Sequence, residues 1–146
     1  MRVVVQRVLD ASCIVDGSII SSVNRGLLLL VGICEEDNLE TIAKMSKKIA
    51  QLRIFEDEFG KMNKSILDMK YEILSISQFT LCADTTGGNR PSFTRAMKPD
   101  LANELFELFC NQLQNDSQIH VQKGVFGAHM EIKLTNDGPV TIVLEF

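Results

Sequence analysis

The chain has 146 residues, 45% hydrophobic and 23% charged, which is the make-up of an ordinary globular domain and excludes a disordered or fibrous chain. A formal net charge of -4 with a pI of about 5.2 argues against a protein that coats long stretches of nucleic acid, where a basic face is the usual footprint. The longest apolar run, Leu27 to Val31 and on through Gly32 and Ile33, falls far short of the ~20 residues that span a bilayer, so no membrane segment is expected.

The amino terminus, Met-Arg-Val-Val-Val-Gln-Arg, is strand-like and lacks the apolar core and cleavage site of a signal peptide, which predicts a cytoplasmic protein. The β-branched run Val3-Val4-Val5 opens a strand. Ser12–Val15, Asp16-Gly17 and Ile19-Ile20 form a hairpin pattern, because Asp-Gly supplies the positive φ angles of a tight two-residue turn. Leu27–Gly32 has the pattern of a strand buried on both faces. Asp37 can cap a helix with Glu40 three residues on, and Leu39, Ile42, Ala43, Ile49 and Ala50 form its apolar stripe. Lys44, Lys47 and Lys48 then face outward, a solvated face more often than an RNA-binding one.

Tyr71–Cys82 is a long strand by its pattern. A second helix starts at Pro99, well suited to a first helical position, with Leu101, Ala102, Leu105, Phe106, Leu108, Phe109 and Leu113 as a broad apolar stripe. Gln118–Gln122, Ala128–Thr135 and Val140–Phe146 alternate like strands. With no linker, repeat or low-complexity segment, residues 1–146 read as one domain. Its class is α+β: a curved or barrel-like, mainly antiparallel sheet covered by two principal helices.

Motifs for ordinary hydrolytic or nucleotide chemistry are missing: no G-x-S-x-G, no phosphate-binding glycine loop, no H-E-x-x-H. His120 and His129 are the only histidines, and neither has an acidic orienter nearby in sequence. Cys13, Cys34, Cys82 and Cys110 have no C-x-x-C spacing, so no metal, no cofactor and no disulfide is expected, and the four are read as reduced, mostly buried thiols. Gly87–Lys98 contains Arg90, Arg95 and Lys98 without an acid, which suits either local phosphate contact or a plain solvated loop.

Two segments carry more. Ser77-Gln78-Phe79-Thr80-Leu81 ends a strand, where alternation puts Gln78 and Thr80 on one face. They could share a pocket, or be polar residues on a half-buried strand. Backbone N–H groups around Phe79 and Thr80 would serve as oxyanion donors if the strand end is unpaired. Asn136-Asp137-Gly138-Pro139-Val140-Thr141 reads most simply as a turn between two strands.

Together with Arg90-Pro91-Ser92-Phe93-Thr94, the Gly124-x-Phe126-Gly127-Ala128-x-Met130 stretch and the opening M-R-x-x-x-Q-R-V, these motifs resemble, in order and spacing and over the whole chain, the D-aminoacyl-tRNA deacylases. Cys82 departs from that pattern, which commonly has tyrosine there. The resemblance implies a homodimeric enzyme that hydrolyses the ester of D-aminoacyl-tRNA, and of glycyl-tRNA, without metal or cofactor. It implies a site at Ser77, Gln78, Phe79 and Thr80, with the 2′-hydroxyl of the tRNA assisting, and places Met130 in support. Gly138-Pro139 would be a Gly-cis-Pro element entering the partner's pocket to exclude L-amino acids, held from behind by Arg7. Arg90 and Arg95 are the candidate tRNA contacts. A hydrolase of another small ester and a non-catalytic nucleic-acid-binding module stand as the alternatives.

Overall fold

The computed structural model describes residues 1–146. The chain runs β1 (Arg2–Val15), β2 (Ser18–Val23), β3 (Gly26–Gly32), α1 (Leu39–Ala50), β4 (Phe55–Glu56), β5 (Met62–Lys64), α2 (Ile66–Met69), β6 (Glu72–Ser77), a 3-10 turn (Phe79–Cys82), α3 (Pro99–Ser117), β7 (Val121–Lys123) and β8 (Glu131–Glu145). Asp16 and Gly17, at φ 49° and 76°, make the tight turn that folds β1 onto β2.

β1 is the hub, pairing antiparallel with β2, β3 and β8, while β3, β6 and β7 run parallel. The Ser22 N–H donates to Gln122 Oε1 at 3.3 Å, which brings β2 back beside β7 and leaves the sheet nearly closed. The class is the expected one, with mixed pairing: helices cover one face of a curved, barrel-like sheet.

Alternation along the strands divides the apolar residues into two layers. Val3, Val5, Leu27, Leu29, Val31 and Ile73 pack with Ile42, Met45 and Ile49 of α1 and with Leu105, Phe106, Phe109 and Leu113 of α3. Val8, Ala11, Cys13, Leu28, Leu74 and Ile76 fill the barrel interior. Leu28 and Leu29, neighbours in sequence, are both fully buried on opposite faces, so β3 is apolar throughout. Each such side chain contributes about 1.5–3 kcal/mol of transfer free energy.

Several expectations are corrected. The cap of α1 is Asn38, whose Oδ1 accepts from Glu40 and Thr41 N–H. Asp37 is engaged elsewhere, accepting from the Met1 ammonium at 2.5 Å and from Cys34 N–H at 2.6 Å. Leu39 and Ala43 are exposed, while Met45 and Ser46 take the buried stripe positions. The strand expected over Tyr71–Cys82 spans only Glu72–Ser77, because its ladder with β3 stops at Val31. Gln118 is the left-handed end of α3 (φ 56°), so β7 starts only at Val121.

Ala128–Thr135 and Val140–Phe146 are not two strands around a turn. Residues 131–135 and 140–145 belong to one strand, β8, because β1 is long enough to pair with both halves, while residues 128–130 stay outside it, and the residues between Asn136 and Thr141 bulge out opposite Gln6 to Val8. The reading of four reduced thiols also fails. Cys34 and Cys82 form a disulfide with Cα atoms 5.8 Å apart, which no sequence spacing announces because the two meet through the fold. Cys13 and Cys110 are free and buried.

Burial pushes both free thiols up, that of Cys110 to about 12, so neither forms the reactive thiolate at neutral pH. Alkylation of the native, unreduced protein at pH 8 is therefore expected to label no cysteine within minutes, by intact mass. Rapid labelling of Cys110 would contradict this packing.

Candidate active site

A cleft of about 640 Å³ opens at the carboxyl ends of the parallel strands β6 and β7. Ile76, Ser77, Gln78 and Phe79 form one wall, Phe93 with Ala96, Met97 and Lys98 another, and Phe126 to Met130 the third. The floor is close-packed: a Cβ on Gly124 would stand 2.6 Å from Met130 Sδ and 2.9 Å from Ile76 Cδ1. Phe79 and Phe93, exposed at 56% and 40%, meet edge to face at 5.1 Å over the rim.

The wall at β6 is built by the end of a ladder. Gln78 N–H makes a last bond to the Val31 carbonyl at 2.7 Å, and the chain then enters the 3-10 turn. Leu81 and Ala83 N–H close that turn onto the Gln78 and Thr80 carbonyls. Phe79 and Thr80 N–H find no acceptor in the protein, since their turn begins with them and no strand lies opposite. Two unsatisfied donors at a cleft edge are suited to an oxygen that gains negative charge. Gly32 allows the arrangement, because a Cβ there would lie 2.9 Å from Leu81 Cβ and 3.0 Å from the Gln78 carbonyl oxygen.

Gln78 and Thr80 do come together, although not as alternate residues of a strand: Gln78 Nε2 donates to Thr80 Oγ1 at 2.5 Å across the turn. Thr80 itself stands beside the cleft rather than in its lining. Its hydroxyl has no histidine, lysine or carboxylate as a hydrogen-bond partner. Ser77 and Met130 line the cleft. His129 and Lys98 also line it, which the sequence does not predict: Lys98 reads there only as part of a basic loop, and His129 occupies an unconstrained position of the Gly124 to Met130 motif. His120 is elsewhere, its Nδ1 paired with Gln114 Oε1. No group of three or more His, Cys, Asp or Glu stands close enough to hold a metal ion.

Gly138 and Pro139 do not line this cleft. They are exposed on the bulge of β8, their peptide bond is cis, and Gly138 has φ 136°, a conformation that disfavours any side chain. A Cβ at 138 would meet Val140 Cγ2 at 2.7 Å and Arg7 Nη2 at 3.3 Å. Arg7, only 6% exposed, stands behind the bulge: Nε donates to the Asp137 carbonyl at 3.0 Å and Nη1 to the Ile54 carbonyl at 2.7 Å. The carboxylates of Asp137 and Glu56 lie at 3.5 and 3.8 Å. Asn136 Oδ1 accepts from Val140 N–H and closes the bulge from the other side.

Arg90 and Arg95 are exposed and lie outside the cleft lining. Their loop is tied by Asp84, whose carboxyl is held below its ordinary value by the backbone N–H and hydroxyl of Thr86. Arg95 borders a second depression of about 290 Å³, with Cys34 and Glu35.

Removing the Arg7 fork should be costly, because two charge-assisted bonds to buried or partly buried carbonyls are lost. Arg7→Met is expected to destabilise the protein by about 2–4 kcal/mol, read as a lowered urea midpoint, and to speed amide exchange at 137–140. An unchanged midpoint and unchanged exchange would contradict the role of Arg7 as the support of the bulge.

The D-Tyr-tRNA(Tyr) deacylase family model matches residues 4–145. The chain is 54% identical over 145 residues, 99% of each protein, to a D-aminoacyl-tRNA deacylase of Lactobacillus acidophilus. Among solved structures, a c-Myc DNA unwinding element binding protein superposes with a TM-score of 0.94 at 44% identity, with 100% of this chain and 99% of that one covered. A probable eukaryotic D-amino acid tRNA deacylase superposes with a TM-score of 0.85 over 98% and 97% of the two chains, and at 16% identity it speaks for the fold alone. By the match of its whole length, the chain belongs to the D-Tyr-tRNA(Tyr) deacylase family.

Proposed function

We propose that the protein is a D-aminoacyl-tRNA deacylase: it hydrolyses the ester between a D-amino acid and the terminal ribose of tRNA, and accepts glycyl-tRNA alongside. The observation that carries this reading is the pair of unsatisfied N–H groups of Phe79 and Thr80 at the cleft edge. An aminoacyl ester is already activated, so its hydrolysis needs a positioned water and donors for the developing oxyanion more than a strong nucleophile. Phe79 and Thr80 N–H supply the donors. Gln78 and Thr80 side chains orient each other and hold the turn, while Ser77, Met130 and the aromatic rim pack the aminoacyl-adenosine end.

Thr80 is not the nucleophile, because no base is within hydrogen-bond reach of its hydroxyl. The neighbouring 2′-hydroxyl of the substrate ribose activates the water. Arg90 and Arg95 give the loop above the cleft a local positive charge for the tRNA phosphates, in a protein that is acidic overall. The enzyme works in the cytoplasm, where tRNA is charged.

Chirality is set by a second copy of the chain. Gly138 and Pro139 are exposed, far from any role in their own cleft lining, and rigidly backed by Arg7. β8 pairs only with β1 and has its other edge free, so it is available to dock a partner. In the homodimer the bulge enters the partner's cleft and fills the space that the side chain of an L-amino acid would need.

A nucleic-acid-binding module without turnover is the second reading, favoured by the name of the 44% identical structure and opposed by the net charge of -4. Incubation with matched D- and L-aminoacyl-tRNAs separates the two. Release of the D-amino acid at a rate well above the L-isomer is expected, and binding without release would overturn the enzyme reading. In the same assay Thr80→Ala, which keeps its N–H, should lose less than the roughly 10²–10³-fold that removal of an oxyanion donor costs. Complete loss, with a trapped aminoacyl-Thr80 ester in the native protein, would make Thr80 the nucleophile instead.

A further inference from the structure

The Cys34–Cys82 disulfide lies between two parts of the candidate site that nothing else links covalently. Cys82 is the last residue of the 3-10 turn whose first two N–H groups are the unsatisfied donors. Cys34 continues from β3 through Ile33, whose carbonyl accepts from Met97 N–H at 3.1 Å, and it forms an isolated bridge with Ala96. One covalent bond therefore ties the donor turn to the strand end that also carries the Phe93 to Met97 wall of the cleft. The other polar hold on the far side of the turn is Arg2 Nη1, donating to the Leu81 carbonyl at 2.9 Å, from a side chain that also pairs with Glu145.

The two sulfurs differ in access. Cys82 is 1% exposed and lies behind the turn, whereas Cys34 is partly exposed and borders the 290 Å³ depression, away from the substrate cleft. The second depression is thus an approach to Cys34 that does not pass through the candidate active site. Cys13 and Cys110 are buried and do not compete for exchange.

We infer that Cys34–Cys82 is a thiol–disulfide exchange site, entered from the second depression by a low-molecular-weight thiol, whose state sets how firmly the Phe79 and Thr80 donors are held. The inference rests on the deacylase reading, which also places the protein in a compartment where a disulfide is exceptional and those that form are usually redox-sensing or catalytic. In the opening direction a thiolate attacks Cys34 Sγ, the Cys34–Cys82 bond breaks, and Cys82 leaves as a thiolate that takes up a proton. A second thiol then attacks the mixed disulfide, which releases Cys34 as a thiol and the small-molecule disulfide. Two electrons pass from two small thiols to the protein pair, and closure by a low-molecular-weight disulfide is the reverse. With the bond open, the turn keeps its hydrogen bonds but loses the tie that fixes its distance from β3.

The test compares the full-length protein, oxidised and after dithiothreitol, with alkylation under denaturing conditions and intact mass used to count thiols. Cys34→Ser and Cys82→Ser serve as permanently open forms. Opening is expected to add two alkylated sites and to speed amide hydrogen exchange in peptides covering 79–83 and 93–97, while exchange in β1 and β3 stays slow and shows the protein folded. It is expected to lower kcat on D-aminoacyl-tRNA by about ten- to a hundredfold with little change in KM, since misplacement of about 1 Å costs up to ~10²-fold. Both serine variants should match the reduced protein and ignore the reductant. If neither form cleaves D-aminoacyl-tRNA, the deacylase reading fails while the exchange data still judge the latch. Two new thiols with unchanged exchange and unchanged kcat would overturn the inference, and so would a bond that excess small thiol does not open in the native protein.

Discussion

The ladder between β3 and β6 stops at Val31 and Ser77, and the bond from Gln78 N–H to the Val31 carbonyl is its last rung. Beyond it the chain tightens into a 3-10 turn, and this change of backbone geometry leaves Phe79 and Thr80 N–H with no partner. Both residues are exposed, so water can satisfy these N–H groups until a ligand takes its place. Here Gly32 gives the turn room against β3, Arg2 holds its outer carbonyl, and Cys82 anchors its end. The cleft follows from the same event, because the aromatic rim and the Phe126 to Met130 wall pack around the point where the sheet ends.

On the opposite side of β1 the same strand supports a different feature. Arg7 sits on β1 with its side chain buried, and its guanidinium faces the bulge of β8 between Asn136 and Thr141. The planar fork reaches two main-chain carbonyls from separate segments, at Ile54 and Asp137, through two different nitrogens in a fixed geometry that a lysine ammonium does not have. The result is an exposed Gly138-Pro139 bulge that lies outside the cleft lining of its own subunit. In the proposed homodimer, the donor pair of one copy would meet the substrate and the bulge of the other would fill the recess beside it.

Much of the architecture was legible in the sequence because burial imposes period. The two-sided apolar run at Leu27–Gly32, the Asp16-Gly17 turn and the Pro99 helix start each follow from local chemistry, and each is present. What the sequence concealed depends on partners distant in the chain. Tyr71–Cys82 looks like one strand because Phe79 and Leu81 continue the alternation, yet the strand ends where β3 ends. Asn136 to Thr141 has turn composition, but a long β1 pairs on both sides of it and converts the turn to a bulge. Asp37 has the chemistry of a cap, and the Met1 ammonium takes it. Cys34 and Cys82, separated by 48 residues, meet only because the β3 end and the 3-10 turn are packed together. The candidate site was visible as motifs: as alternate strand residues Gln78 and Thr80 could share a pocket, and they meet instead across a turn with only Gln78 in the cleft lining; that Lys98 and His129 line the cleft was not legible, since their place depends on the α3 start and the loop after β7.

The central claim is that the Phe79 and Thr80 N–H groups receive the ester carbonyl oxygen. Titration of isotopically labelled protein with a non-hydrolysable amide analogue of D-aminoacyl-adenosine, followed through backbone amide resonances, addresses those two atoms directly. The account predicts that the Phe79 and Thr80 amide protons shift downfield and gain protection together, as two hydrogen bonds to one oxygen require, and that the L-analogue leaves them unmoved. Saturable binding of the D-analogue with those two resonances unchanged would contradict it.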